Sequence, residues 1–420
     1  MAPRDPNKLL RYLRWMDYRD RMQRRRFLKM MAMAGAATIG GKTLAACETD
    51  DADDAPAATD DTADDTATDD APADDAADDT ADDPDVDDEM TNVEGYEADG
   101  RYEGRTIVVT DFGGAMRDIW REIAYDPFSQ LTGVEIVEDT SDSALLRSQV
   151  ESENVEWSMS QQGGSTGILL GQQGMLEPLD YDVIQRDGLV EGIDDEHALG
   201  CLFWSTVIAY NTETFPDDPP GGWEDFWDLD NVPGARGLYD WPVPNLEFAL
   251  IAAGVPMDDL YPLDVDLAFE KLDEIRDEIL VWWEEGAQPP QLLADGELDI
   301  CTAWNGRITD AAEAGQPIAI QWNEGSMTFD TFTVPRGAPE PEIAMDLINF
   351  MSRPEVQARM AERIPYGPIH EGAFDHLDDD IMANLPSSPE LMEMQHERDI
   401  DFWLEHEDEI LERWQDWLLV

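Results

Sequence analysis

The sequence predicts an α/β protein folded as two lobes. Three observations carry this. The chain has 420 residues, and its hydrophobic fraction of 42% is ordinary for a soluble protein, so more than one core can be buried. Short apolar runs rich in β-branched residues alternate with stretches of helical spacing, the rhythm of a sheet covered by helices. One apolar run, from Leu202 to Thr212, is longer than the rest and reads as the crossover between lobes.

The elements follow in order. Arg105–Thr110 is an apolar strand, and Asp111-Phe112-Gly113-Gly114 a turn. Met116–Gln130 has helical spacing at Met116, Ile119, Trp120 and Ile123, and Val134–Val137 is a second strand. Ser143–Val150 is a helix with Leu145, Leu146 and Val150 on one side. Ser158–Gly164 is a strand ending in a Gly-rich turn before a helix over Thr166–Gly171. After the crossover come a helix at Trp223–Leu229, a strand at Gly237–Asp240 and helices at Asn245–Ala253 and Leu267–Val281. Gln291–Asp295 and Leu298–Cys301 repeat the helix–strand step. The stretch from Ala303 to Val334 reads as a helix between strand-like runs, and its last strand, Asp330–Val334, returns to the first lobe. Pro341–Phe350, Pro354–Ile364 and the Trp-rich tail Leu391–Leu419 are helical, the tail expected to pack on the first lobe.

That stretch also carries the clearest chemistry. Trp304, Trp322, Phe329 and Phe332 lie with Glu324 and Asp330 in some thirty residues. An aromatic face and a carboxylate together hold an organic cation, and both contributions grow when water is excluded. Aromatics also dominate ordinary cores, so no single one identifies a site.

Charge sets a second boundary. The net formal charge is −68, and residues 91–420 hold 71 acidic against 16 basic residues, with Lys271 the only lysine. Such a body repels itself at low salt and is screened at molar salt, where the Debye length is roughly 3 Å. Adaptation to a hypersaline medium is therefore expected. The lack of a basic patch excludes nucleic acid as a partner. His197, His370, His376, His396 and His406 show no metal-ligand spacing, and no cofactor motif occurs. With so many acids, carboxylate pairs arise by chance and do not argue for an enzyme. No nucleophile elbow or phosphate loop is present, and no enzyme activity is expected.

The N-terminus has its own organisation. Arg24-Arg25-Arg26-Phe27-Leu28-Lys29, a short apolar stretch and Leu44-Ala45-Ala46-Cys47 resemble a twin-arginine export signal with a lipobox. The resemblance implies cleavage before Cys47 and its lipidation, leaving the protein on the extracellular face of the membrane. Residues 48–90 carry 21 acids and no Lys or Arg, a composition that cannot bury enough apolar area to fold. The resulting division is a signal at 1–47, an acidic disordered tether at 48–100, lobe 1 at 101–209, lobe 2 at 210–328, and a return to lobe 1 with C-terminal helices at 329–420. Two cysteines remain beyond the lipobox, Cys201 and Cys301, either paired or simply buried.

From Gly104 onward the chain resembles the extracellular solute-binding proteins of ABC importers, specifically the spermidine/putrescine-binding group. The resemblance rests on Phe112-Gly113-Gly114, Asp126-Pro127-Phe128, Gly174 to Leu179, Trp204 to Thr212, Ala303 to Arg307, Asn323-Glu324-Gly325 with Asp330, and Ile364 to Pro368. It implies the type II periplasmic-binding-protein-like fold, two α/β lobes with a ligand cleft between them, and delivery of a polyamine-like cation to a membrane permease. Trp304 matches a stacking tryptophan, Asp330 an ammonium-binding acid and Tyr366 a cleft tyrosine. Phe112 falls near a first-lobe cleft aromatic, Asp240 near a second acidic cluster, and Phe329 stands where the family carries a tryptophan. The residues themselves leave a sugar, amino acid or anion open as ligand, and a secreted hydrolase as the alternative function.

Overall fold

A computed structural model describes residues 88–419. The signal, the lipobox at Cys47 and the tether up to residue 87 lie outside the described residues. The folded body begins earlier than the sequence suggested. Val93 and Tyr96, assigned to the tether, are buried, with Tyr96 edge-on to Phe350 at 4.9 Å and its hydroxyl donating to Asp346.

One nine-stranded sheet runs through the protein in the order β2-β1-β3-β8-β4-β7-β5-β6, with β9 pairing to β8. β1 (Thr106–Asp111), β2 (Glu135–Thr140) and β3 (Met159–Gly163) are parallel and form the first-lobe half. β5 (Arg236–Tyr239), β6 (Ile279–Trp283) and β7 (Ile300–Trp304) are parallel and form the second. The long antiparallel pair β4 (Ala198–Asn211) and β8 (Ile318–Thr333) spans both. The crossover read from the sequence is thus β4, and its partner is β8.

Helices cover the sheet. In the first lobe these are α1 (Gly114–Trp120), α2 (Asp126–Thr132), α3 (Ser143–Glu151) and α4 (Gly164–Gln172). The second has α5 (Trp223–Trp227), α6 (Pro242–Ala252), α7 (Val265–Asp273), α8 (Gln288–Ala294) and α9 (Asn305–Glu313). α10 (Pro341–Met351) and α11 (Pro354–Arg363) return to the first lobe, where Leu347, Phe350, Val356 and Met360 join Trp120, Phe128 and Phe332 in its core. Pro at the start of α10 and α11 fixes φ where no N–H is needed. Cys201 and Cys301 are both free and buried.

Four expectations change. The helix expected over 267–281 ends at Asp273, and Ile279–Trp283 is the strand β6. Leu272, Ile275 and Ile279 keep helical spacing and are all buried, but the last belongs to a β-branched and aromatic run that pairs with β5. Residues 318–333 form one strand, which starts well before the expected Asp330–Val334. Its register against β4 slips between the pairs Thr206↔Ser326 and Ile208↔Gln321, and the excursion holds Glu324 at φ 64°. The tail is not wholly helical either: Gln395–Glu397 is β9, ahead of α12 (Ile400–Leu418). Finally, α12 docks on the second lobe. Trp403, Ile410 and Trp414 join a core with Phe248, Phe269 and Leu272, and Trp414 meets Trp282 at 5.6 Å.

Candidate functional site

β4 and β8 lay the floor of a cavity of about 370 Å³ between the lobes. Alternation along a strand sends every second side chain to one face. Trp204 and Thr206 of β4 and Thr328 and Asp330 of β8 thus line it together, joined by Phe329. The first lobe contributes residues 163–166 at the start of α4, and the second contributes Tyr239, Trp241 and Trp304. The back wall is Arg398, Trp403, Leu404 and Glu407.

Trp304 ends β7 and opens α9, so the strand fixes its backbone while its ring projects at the cleft. Its ring meets Trp204 at 5.9 Å and 71°, Tyr239 at 5.9 Å and 69°, and Trp283 at 5.5 Å and 83°. These edge-to-face contacts hold the ring rigidly, as an aromatic platform requires. The Trp204 indole N–H donates to the Asp330 carboxylate at 3.1 Å. Burial pushes the Asp330 carboxyl up to about 7, against the pull of Trp204 and the Arg398 guanidinium.

Arg398 follows β9 directly. Pairing of His396 with Ser326 and the Arg398 N–H to the Met327 carbonyl (3.2 Å) carry it onto the crossover. Its Nε donates to Ser326 Oγ and its Nη2 to Thr206 Oγ1, both at 3.0 Å, and its guanidinium carbon lies 4.9 Å from the Trp204 ring centre. Nη1 has no hydrogen-bond partner among the described residues, and no carboxylate there lies within ion-pair distance of Arg398. Burial lowers the Arg398 pKa, an effect offset in part by Glu247 and by Tyr261, Tyr239 and Asp330. Glu247 is fully buried behind the wall and accepts from Tyr261 (2.7 Å) and from the Trp403 indole (2.8 Å), which fixes Trp403 against the cavity. Glu407, half-buried on α12, shares the cavity wall with Trp241, and burial raises its carboxyl against the pull of the Trp241 indole.

Of the residues singled out from the sequence, Trp304, Phe329 and Asp330 meet in this cavity. Phe112, Asp240 and Tyr366 are not among its lining residues. Phe112 is half exposed beyond the end of β1. Asp240 accepts from the Trp414 indole at 3.4 Å. Tyr366 packs on α9, where a Cβ on Gly306 would sit 2.7 Å from its ring, and burial pushes its hydroxyl up to about 12. Arg398, Glu407, Trp241 and Trp403 were not foreseen. The available signal was an arginine between Glu397 and Asp399, one of two in a predominantly acidic tail.

The start of α4 leaves no room for a larger residue. A Cβ on Gly164 would lie 2.5 Å from the Phe329 carbonyl oxygen, a backbone atom that moves only with the crossover. Gly164→Ala is therefore expected to destabilise the protein by about 1–3 kcal/mol, read as a lower denaturant midpoint. An unchanged midpoint would show that α4 can lift off β8 freely.

Among the described residues no group of three or more His, Cys, Asp or Glu side chains could hold a metal ion, and no helix is long and apolar enough to cross a membrane. Residues 124–390 match the family described as bacterial extracellular solute-binding protein. The chain is 33% identical over 334 residues to the gamma-aminobutyric acid-binding protein of Pseudomonas aeruginosa, covering 77% of this chain and 93% of that one. It is 24% identical over 205 residues to the spermidine/putrescine-binding periplasmic protein of Escherichia coli, covering 46% of this chain and 58% of that one. A crystal structure of an ABC transporter substrate-binding protein from Bradyrhizobium japonicum is 34% identical with a TM-score of 0.72, covering 75% of this chain and 100% of that one.

Proposed function

Because the chain belongs to the bacterial extracellular solute-binding proteins, the substrate-binding subunits of ABC transporters, we propose that its cavity captures a small organic molecule carrying both an ammonium and a carboxylate, of the 4-aminobutyrate type. One observation carries this: Asp330 and Arg398, opposite charges without ionic partners among the described residues, line one aromatic cavity. An unpaired charge removed from water is costly, so a ligand supplying both counter-charges gains at both ends. The similarity to a gamma-aminobutyric acid-binding protein supports the same class. The polyamine suggested by the sequence satisfies Asp330 and the ring faces but leaves the Arg398 guanidinium without a counter-charge.

The mechanism is capture, closure and delivery. The ligand ammonium rests on Asp330 and the Trp304 face, and its carboxylate on Arg398. The irregularities of β4 against β8, at Gly200/Leu202 and at Thr206/Ile208, flank Trp204, and these are where the strands bend as the lobes close. Closure expels water and strengthens both contacts beyond the reach of salt screening. The closed form then docks on the permease. Lipid anchoring at Cys47 after twin-arginine export, and work at molar salt, complete the proposal and rest on the sequence alone.

The test is a thermal-shift and calorimetric screen at molar KCl with 4-aminobutyrate, putrescine, a neutral sugar and phosphate. A ligand that binds only the folded state raises the midpoint. 4-Aminobutyrate is expected to do so; a shift with putrescine alone would replace this proposal with the polyamine one. A pH dependence follows as well. In the free protein Asp330 loses its proton at about pH 7, and a bound ammonium favours the ionised form and lowers that value. Below about pH 7 binding must release a proton, so affinity falls roughly tenfold per pH unit there and levels off above. Calorimetry in two buffers should record proton release at pH 6 and none at pH 8.5, and Asp330→Asn should remove the difference. Equal proton release at both values would mean that Asp330 does not face the ammonium.

A further inference from the structure

The cavity holds a third charge that a simple amino acid leaves unanswered. Glu407 lines it from α12, one turn beyond Trp403. Trp241 is its neutral neighbour in the lining, while Asp330 accepts from the Trp204 indole and Arg398 donates to two hydroxyls. None of the three forms an ion pair with another described side chain. The cavity therefore presents two carboxylates and one guanidinium, each without an ion pair among the described residues and left for an ion from outside.

We propose that Glu407 is a specificity-determining residue that selects an amino acid bearing a second cationic group, as in ornithine or lysine. The proposal rests on the amino-carboxylate assignment above and extends it. Charge matching decides between ligand classes. 4-Aminobutyrate brings one positive and one negative group and leaves Glu407 unpaired. A diamine pairs both acids and leaves Arg398 unpaired against two like charges. A diamino monocarboxylate answers all three. The raised Glu407 carboxyl is what an unpaired acid in a closing cavity should show, and a nearby ammonium reverses it. The volume admits such a ligand, because about 370 Å³, at the lower end of ligand cavities, exceeds what a six-carbon amino acid occupies.

The experiment is calorimetry on the full chain with ornithine, lysine, 4-aminobutyrate and putrescine, on the unaltered protein, Glu407→Gln and Glu407→Asp. On the unaltered protein ornithine or lysine should bind at least ~30-fold more tightly than 4-aminobutyrate. Glu407→Gln should cut that preference by roughly 30-fold or more, the scale of losing a buried ionic partner, and Glu407→Asp should restore most of it. The ranking on the unaltered protein needs no variant to fold. If 4-aminobutyrate binds as tightly as either diamino acid, or Glu407→Gln leaves the preference in place, the role of Glu407 is overturned while the amino-carboxylate assignment stands. If putrescine binds and no carboxylate-bearing ligand does, or if none of the four binds, both fall together.

Discussion

Arg398→Met should cost the protein about 2–5 kcal/mol of affinity for an amino-carboxylate ligand, a loss of roughly 30- to several-thousand-fold, the range for truncating one partner of a buried hydrogen-bonded charge pair. The unliganded variant should lose at most about 1–3 kcal/mol, the cost of two buried hydroxyls losing a donor. Arg398 has hydroxyl partners and no ion pair among the described residues, so its removal takes out a charge that is only partly offset by Glu247 and Asp330, and costs the buried Ser326 and Thr206 hydroxyls one donor each. Calorimetry for affinity and thermal melting without ligand separate the two effects. A variant that binds 4-aminobutyrate normally would remove Arg398 from the site. A variant that melts many degrees lower would make it a structural residue. Arg398→Lys should recover only part of the affinity, because an ammonium cannot span Ser326, Thr206 and a ligand carboxylate as the guanidinium fork does.

The largest expected effect on stability lies at Trp223, where the second lobe grips the crossover. The ring is fully buried and stacked on Phe248 at 3.7 Å and 20°. Its indole N–H donates to the Glu324 carbonyl and its backbone N–H to the Glu324 carboxylate, both at 2.8 Å. Trp223→Ala opens a cavity and leaves the Glu324 carbonyl without its indole donor, while the backbone N–H to the carboxylate is kept, a loss of about 3–5 kcal/mol. Trp223→Phe should keep much of the stacking and lose the indole hydrogen bond, so it should cost clearly less. Chemical denaturation monitored by circular dichroism tests both, and equal costs would show that the hydrogen bond to Glu324, not the ring, carries the stability.

The first lobe was readable because its signals are local. β1, β2 and α3 each announce themselves by apolar periodicity over fewer than ten residues, bounded by Gly or by Asp and Ser. Trp304, Phe329 and Asp330 were readable because aromatics and an acid are close in the sequence and β7 and β8 both pair with β4. Arg398 was not, because its position depends on three residues, Gln395-His396-Glu397, with no strand-like alternation. Their pairing partners lie some seventy residues earlier. β6 was hidden by phase: Leu272, Ile275 and Ile279 keep a helical spacing across the point where the helix stops. The docking of α12 had no local mark either. Its apolar face is plain in Trp403, Ile410 and Trp414, but an apolar face does not say which lobe it covers.

The order in which the strands lie has a consequence for the order in which they can assemble. β8 sits between β3 and β4, so the sheet of the first lobe stays split until residues 326–333 have been made. Until then β3 and β4 each present an open edge, the kind of surface that recruits foreign strands. The second lobe faces no such wait: β5, β6 and β7 and helices α5 to α9 are contiguous in the chain and can form first as a template for the returning strand. The cavity comes last of all. Its back wall is built from residues 398–407, so a chain interrupted before them can have both strand floors in place and still hold no solute.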